Sequence, residues 1–282
     1  MKKIVKVLLS AMLVFSLVAC SKGDKGTDED KKGDGETYDI GVAIYQFDDN
    51  FMTAYREELQ TIFKELGEKD GNTYKLDIQD GKMDQSTQTE QIDNFIAQKK
   101  DLIIANLVDP TAADPIIEDA KEADIPIIFI NREPEPEVME IWPGKTTYVG
   151  ADATKSGTIQ GEMIANLENK GDADGDGIVR YIILQGDPAN VDAQQRTEYS
   201  IKALKDAGVE HEALAEPYQA DWDASLGQER TANALEQFGE KLDVIFSNND
   251  GMAMGAITAI ESAGRKVNED IYLVGVDAID DA

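Results

Sequence analysis

The sequence predicts an α/β protein made of two doubly wound parallel-sheet lobes joined by a hinge. Short apolar stretches, such as residues 40–44 and 125–130, alternate with longer segments whose apolar residues recur every three or four positions. A stretch with three prolines, residues 132–146, interrupts this alternation, and the same pattern then resumes. At 282 residues the chain is long enough for two domains of ordinary size. Together these observations predict two lobes built from βαβ units.

Residues 1–19 have the layout of a secretory signal peptide. Lys2, Lys3 and Lys6 precede an apolar run that is too short for a permanent membrane-spanning helix. The run ends in Leu-Val-Ala-Cys20, which looks like a bacterial lipobox. Cys20 is the only cysteine, so no internal disulfide can form, and a buried thiol is the alternative interpretation. Because a polar stretch follows directly, we expect a lipid on Cys20 that anchors the protein to the outer face of the cell membrane.

A flexible tether is predicted over residues 20–37. Residues 21–37 contain no large apolar side chain and are rich in Asp, Glu, Lys and Gly. Such a segment cannot bury enough surface to fold by itself.

The first lobe is predicted over residues 38–150. Ile40, Val42 and Ile44 alternate with small residues and predict a strand, and the polar corner at 48–50 that follows can cap a helix. The same alternation predicts the remaining elements of this lobe: helices near 50–68, 85–99 and 111–123, and strands near 74–79, 102–107 and 125–130.

The second lobe is predicted over residues 151–282, with Tyr148-Val-Gly-Ala opening its series. Its predicted helices lie near 154–168, 192–207, 224–238 and 251–264, and its predicted strands near 178–184, 211–217, 242–247 and 271–276. The runs of apolar residues in these strands are typical of a parallel sheet buried on both faces.

Polar side chains follow several of these strands, where the ligands of open α/β sheets bind. They are Asp49, Asn131, Asn249, Asp250 and Asp277, joined by Asp192 and Arg196, which lie one helical turn apart. A carboxylate beside an aromatic ring, as Asp49 stands near Phe51, suits a sugar, whose hydroxyls need an acceptor and whose C–H faces need an apolar plate. A helix cap plus a core phenylalanine explains this pair equally well.

Composition and motifs exclude two classes of function. The formal net charge is −29 without a basic patch, so we expect no nucleic-acid partner. His211 is the only histidine and lies in a polar stretch, and there is no nucleophile elbow, dinucleotide fingerprint or phosphate-binding loop. We therefore expect a binding protein rather than an enzyme.

An acidic loop at 172–178 resembles the opening half of a calcium-binding loop. Asp172, Asp174 and Asp176 alternate before the turn at Gly177, and Ile178 stands where a backbone carbonyl binds the ion. Arg180 and Ile183 occupy the ninth and twelfth positions, where a ligand and a glutamate are usual. A solvated acidic turn is the alternative to a calcium site.

The chain closely resembles the periplasmic galactose/glucose-binding proteins from about residue 38 to residue 282. The resemblance is carried by residues 45–52, 106–110, 131–134, 148–150, 156–161, 192–196, 248–255 and 274–278. It implies a monomeric type I solute-binding protein whose two lobes close on a hexose and deliver it to the permease of an ABC transporter. The family also continues beyond residue 282, so the resemblance implies that this sequence is truncated.

The resemblance also assigns roles to individual residues. Phe51 and Trp222 look like the aromatic plates that sandwich the pyranose, and Asp49 resembles the carboxylate that accepts from the 4-hydroxyl of either epimer. The remaining polar ligands are implied to be Asn131, Asp192, Arg196, Asn249 and Asp277. Asn190 replaces a histidine of the galactose binder, which affects the contact to the 6-hydroxyl. Asp243 is implied to close the calcium site.

Other functions remain open on this fold. A sugar sensor, which presents the bound form to a chemoreceptor or to a sensor-kinase ectodomain, is the alternative to a transport component. An enzyme is a weaker alternative, and the signal peptide argues against a cytoplasmic sugar-responsive repressor.

Overall fold

The computed structural model describes residues 35–280, which form two five-stranded parallel sheets covered by helices. The predicted signal peptide, Cys20 and the predicted tether up to residue 34 lie outside the described residues, and Thr37 already belongs to the first strand. The predicted α/β fold with two doubly wound sheets is confirmed. No helix within residues 35–280 is both long enough and apolar enough to cross a membrane.

The elements alternate as the sequence predicts. The strands are β1 (Thr37–Ile44), β2 (Thr73–Asp80), β3 (Leu102–Ala105), β4 (Ile127–Ile130), β5 (Thr146–Val149), β6 (Val179–Gln185), β7 (His211–Ala213), β8 (Tyr218–Gln219), β9 (Val244–Ser247) and β10 (Tyr272–Val274). The helices are α1 (Asn50–Asp70), α2 (Gln85–Ala97), α3 (Ala113–Glu122), α4 (Pro136–Met139), α5 (Ala153–Ala165), α6 (Val191–Asp206), α7 (Ala224–Phe238) and α8 (Asp250–Ser262). Short 3₁₀ turns, Pro110–Ala112 and Gly239–Lys241, precede α3 and β9.

The first sheet has the strand order β2-β1-β3-β4-β5. Its inner strand β1 contributes to two core layers: Val42 and Ile44 pack with Met52 of α1, and Ala43 packs with Phe95 of α2. The strand order reverses between β1 and β3, and at such a switch point a crevice opens beyond the carboxyl ends of the strands. This crevice is where Asp49 and Asn131 emerge.

The strand β5 corrects one expectation. Tyr148 was predicted to open the series of the second lobe, but it pairs in parallel with Phe129 of β4, at the edge of the first sheet. The reason is packing, because Tyr148 lies half-buried against the core of the first sheet. The proline-rich stretch before it contains the short helix α4 and returns the chain to the same sheet.

The second sheet has the order β10-β9-β6-β7, and β8 also pairs with β6. The single strand predicted at 211–217 is therefore two short strands, β7 and β8, which pair with different parts of β6. Helices α5 and α6 cover one face and α7 and α8 cover the other. Gly161 allows α5 to approach α6 closely, since an added Cβ would lie 2.2 Å from the Ser200 carbonyl oxygen.

Candidate functional site

A cavity lies between the two sheets, at the carboxyl ends of their strands. It is lined by Tyr45, Asp49, Phe51, Asn131, Arg132, Asn190, Asp192, Arg196, Trp222, Asn249 and Asp277. The structure therefore brings together the nine residues that the resemblance to the galactose/glucose-binding proteins implies as sugar contacts. Tyr45 and Arg132 line it as well and were missed. Asp250 is buried beside the cavity at the start of α8.

Asp49 lies at the start of α1 and has two roles. Its Oδ1 accepts a hydrogen bond from the backbone N–H of Met52 at 2.7 Å, which caps the helix. Its Oδ2 accepts from the hydroxyl of Tyr45 at 2.5 Å. The side chain thus serves as the cap and also lines the cavity, so the two interpretations of Asp49 do not exclude each other. Phe51 is the second residue of the helix and lies half-buried at the cavity wall.

Asn131 is held from behind by the first sheet. It follows β4 with a φ of 63°, a left-handed conformation that asparagine tolerates well. The buried Asn106 at the end of β3 donates from Nδ2 to Oδ1 of Asn131 at 3.0 Å. This network assigns the amide oxygen of Asn131 to the protein and leaves its NH₂ group as a donor for the cavity.

The second sheet contributes an ion pair and its supports. Arg196 Nη2 lies 3.5 Å from Asp192, and its Nη1 donates to the carbonyl oxygen of Asn248 at 2.7 Å and lies 4.0 Å from Asp277. The spacing of 192 and 196 along α6 places both side chains on the cavity side, as the sequence predicts. All of these side chains are largely buried, so their charges interact with little screening by water.

Asn190 and Asn249 are helix caps that also line the cavity. Oδ1 of Asn190 accepts from the backbone N–H of Ala193 at 3.2 Å. Oδ1 of Asn249 accepts from the backbone N–H of Met252 at 2.9 Å. The cap fixes the oxygen of each amide. The NH₂ group of Asn190 is its remaining hydrogen-bonding group, whereas that of Asn249 donates to the Trp222 carbonyl oxygen at 3.5 Å and keeps one further hydrogen.

Trp222 stands in a turn between β8 and α7 with a φ of 66°. Its ring lies against Gly186, where an added Cβ would be 2.2 Å from a ring carbon, and the Arg196 guanidinium lies 5.9 Å from the ring centre. The indole Nε1 is buried and has no hydrogen-bond partner among residues 35–280. An indole in this position offers its face and a free N–H to a ligand.

Burial raises the pKa values of two carboxyl groups in the cavity. Burial, reinforced by the charges of Asp250 and Asp49, raises the pKa of Asp277 to about 7, although Arg196 opposes the shift. Burial also raises the pKa of Asp192, again against the effect of Arg196. A group that donates hydrogen bonds to these carboxylates would stabilise their charged forms.

Residues 40–282 match the family described as the periplasmic binding protein domain. The chain belongs to the periplasmic binding protein family. Its members are extracytoplasmic solute-binding proteins and not enzymes, which confirms the expectation of a binding protein.

Individual relatives confirm the resemblance found in the sequence. The D-galactose/methyl-galactoside binding periplasmic protein of Haemophilus influenzae is 36% identical over 247 residues, which cover 86% of this chain and 71% of that protein. A putative rhizopine-binding protein of Rhizobium meliloti is 32% identical, over 86% of this chain and 74% of its own length. The crystal structure of an ABC transporter solute-binding protein from Bacillus halodurans with bound myo-inositol is 29% identical. It superposes with a TM-score of 0.71, over 87% of this chain and 78% of that one.

Arg132 of this periplasmic binding protein is a buried charged residue that the sequence pattern did not indicate. It is only 2% exposed, donates from Nη1 to the carbonyl oxygen of Val108 at 2.7 Å, and lies 4.0 Å above the centre of the Tyr45 ring. Its Nη2 is buried without a partner in the described part of the chain. An arginine after a strand is usually solvated, so position alone did not indicate its burial. The one available signal was its place directly after Asn131.

The acidic loop precedes β6 and lies at the amino-terminal end of the strands of the second sheet, opposite the cavity. Carboxylate oxygens of Asp172, Asp174 and Asp243 lie within 4.8 Å of one another. Asp176 instead pairs with the Arg180 guanidinium at 2.7 Å, and this hydrogen bond holds the pKa of Asp176 below its usual value. His211, on β7, contacts the Val209 carbonyl oxygen at 2.8 Å and does not line the cavity.

Proposed function

We propose that this periplasmic binding protein captures a hexose, galactose or glucose or both, and delivers it to an ABC sugar importer. The observation that carries the proposal is the cavity itself, with an aromatic ring from each lobe and polar groups around it. Aromatic faces suit the C–H faces of a pyranose, and a ring of fixed donors and acceptors suits its hydroxyls. The galactose-binding relative from Haemophilus influenzae supports this choice of ligand.

In this proposal the polar groups divide into acceptors and donors. Asp49, Asp192 and Asp277 accept from sugar hydroxyls. The NH₂ groups of Asn131, Asn190 and Asn249 donate to hydroxyl oxygens, as do Arg196 and the unpartnered Nη2 of Arg132. Each hydroxyl both donates and accepts, so a mixed lining satisfies a neutral polyol better than an anion or an apolar molecule.

The binding contacts come from both lobes, and binding therefore favours the closed arrangement. Asp49, Phe51 and Asn131 follow strands of the first sheet, whereas Trp222 and Asp277 belong to the second. A ligand that touches both lobes binds the closed state better than the open state and shifts the population toward it. The permease of the importer would then recognise the closed form.

We further propose that the protein acts as a monomer held at the cell membrane by a lipid on Cys20. The support is the lipobox-like sequence before Cys20 and the tether that follows it. A tether of this kind lets the folded part reach a membrane partner while remaining attached.

We also propose a structural calcium ion at the acidic loop. Three convergent carboxylates, Asp172, Asp174 and Asp243, form a set of hard oxygen donors that suits this ion. Arg180 competes with it, because its guanidinium already lies 3.9 Å from Asp174. The ion would connect the loop to the start of β9, far from the sugar cavity.

Titration calorimetry of the purified protein against D-glucose, D-galactose, D-allose and myo-inositol tests the proposed ligand. We expect tight binding of glucose or galactose, and a loss of roughly thirtyfold to a thousandfold in affinity for Trp222→Ala, because a desolvated aromatic anchor contributes about 2–4 kcal/mol. Trp142→Phe removes the other tryptophan, so a sugar-dependent change in the fluorescence of this variant would report Trp222 alone. Normal hexose binding by Trp222→Ala, or no hexose binding by the wild-type protein, would refute the proposal.

A further inference from the structure

The Asp49 carboxylate is fixed from two sides. One oxygen accepts from the Met52 backbone N–H at 2.7 Å, and the other accepts from the Tyr45 hydroxyl at 2.5 Å. A carboxylate with only the first bond can still rotate about its Cβ–Cγ axis. The second bond fixes its plane, so the remaining lone pair on each oxygen points in a set direction. Tyr45 is thus the group that orients the acceptor.

Tyr45 is itself held in place. Its side chain is 2% exposed, and the Arg132 guanidinium covers its ring at 4.0 Å. Arg132 is in turn fixed by its bond to the Val108 carbonyl oxygen. The backbone N–H of Tyr45 donates to Oδ1 of the buried Asn106 at 3.4 Å. The hydroxyl therefore cannot follow Asp49 if the carboxylate moves.

The hydroxyl is also a permanent donor. Burial, together with the charge of Asp49, raises the pKa of Tyr45 well above its ordinary value. The phenol therefore keeps its proton at neutral pH. Its proton is directed at Asp49, because the other contact of the hydroxyl, Gln46 Nε2 at 3.4 Å, is itself a donor.

We propose that Tyr45 is a positioning residue that determines which hydroxyl geometry Asp49 accepts, and so determines how the cavity discriminates between sugar epimers. This inference rests on the proposed function, because it requires that Asp49 accept from a sugar hydroxyl. An axial and an equatorial hydroxyl on the same carbon approach a carboxylate from different directions. A fixed carboxylate meets one of them with better geometry than the other, and a rotating one meets both with similar, weaker geometry.

The test is Tyr45→Phe, which keeps the ring under Arg132 and removes only the oxygen. Calorimetry with D-glucose and D-galactose should show weaker binding of both, and their affinity ratio should change at least threefold. A purely structural effect of the substitution would weaken both sugars equally. Tyr181→Phe, in the core of the second sheet, makes the same chemical change away from the cavity and should leave both affinities unchanged.

A double-mutant cycle with Asp49→Asn tests whether Tyr45 acts through Asp49. Asparagine retains the helix cap, so the Asp49→Asn variant should fold. In that background Tyr45→Phe should change either affinity less than twofold, since the group it orients is gone. Equal losses in both backgrounds, or an unchanged epimer ratio, would overturn the inference and leave the proposed function intact. If the wild-type protein binds neither sugar, the proposed function fails and the inference fails with it.

Discussion

Among single residues, Asp277 carries the largest electrostatic cost in the cavity. Burial raises its pKa from an ordinary value of 3.8 to about 7, and Arg196, 4.0 Å away, offsets only part of this. Between these two pH values the folded protein keeps a proton that the unfolded chain has released. The contribution of Asp277 to the free energy of unfolding therefore falls as pH rises from about 4 to about 7 and is lowest above that. An ionised aspartate in this position therefore does not stabilise the fold.

Asp277→Asn should remove this pH dependence. Asparagine does not titrate, so the free energy of unfolding of the variant minus that of the wild type should increase between pH 5 and pH 8, by about 2–4 kcal/mol. Urea melts at several pH values measure the difference. Glu118→Gln, an exposed change on α3, is the control. A difference that is constant with pH would show that Asp277 is ionised in the folded protein throughout this range.

At the residue scale the sequence predicted the cavity lining well but not its support. Asp49, Asn131 and Asn249 could be found because they follow strands, and strand ends are where such sheets bind ligands. Tyr45 could not be distinguished from a core residue, since it directly follows the buried apolar residues of β1. Asn106 and Arg132 act by burial and by hydrogen bonds to distant parts of the chain, which periodicity does not encode.

At the scale of elements, prediction succeeded where an apolar pattern was long and failed where pairing decided the outcome. The helices near 50–68, 192–207 and 224–238 carry several turns of apolar periodicity, and the structure places them within a few residues of these bounds. Strand β5 is only four residues long, and which sheet it joins depends on contacts made by Tyr148. Strands β7 and β8 are also short, and their pairing with β6 likewise depends on contacts that the apolar pattern does not indicate.

The acidic loop between α5 and β6 gives a prediction at this scale. Arg180→Gln removes the guanidinium that pairs with Asp176 and approaches Asp174, so more carboxylate oxygens become available to a cation. We expect calcium to raise the melting temperature of this variant by several degrees more than that of the wild type, by mass action on the folded state. Melts with calcium and with a chelator measure this.

The control for the loop is Arg230→Gln, which removes an arginine that pairs with Glu229 on α7. Its response to calcium should equal that of the wild type. Hexose affinity should be unchanged in both variants, because the loop and the cavity lie at opposite ends of the strands of the second sheet. If chelation alters neither the wild type nor Arg180→Gln, the loop is an acidic turn without an ion.

At the scale of the whole molecule, the relation between the two lobes is what the sequence could not predict. Within residues 35–280 the chain passes from the first sheet to the second through residues 150–152. How far the lobes close depends on contacts between residues far apart in sequence. One of them is the ion pair between Arg132, after β4, and Asp187, after β6, with Nη1 and Oδ2 3.8 Å apart.

Asp187→Asn should therefore weaken sugar binding by favouring the open arrangement. Asp187 is about one-third exposed and Arg132 is buried, so we expect the pair to contribute about 1 kcal/mol, or roughly a fivefold change in affinity. The loss should appear mainly as faster dissociation in stopped-flow fluorescence of Trp222, because the pair forms only when the lobes meet. Raising the salt concentration should speed dissociation from the wild type and have less effect on the variant.

Asp206→Asn, which breaks the Lys202 pair within α6, should leave the dissociation rate unchanged. Equal dissociation rates for Asp187→Asn and the wild type would mean that closure depends on the ligand and not on this contact.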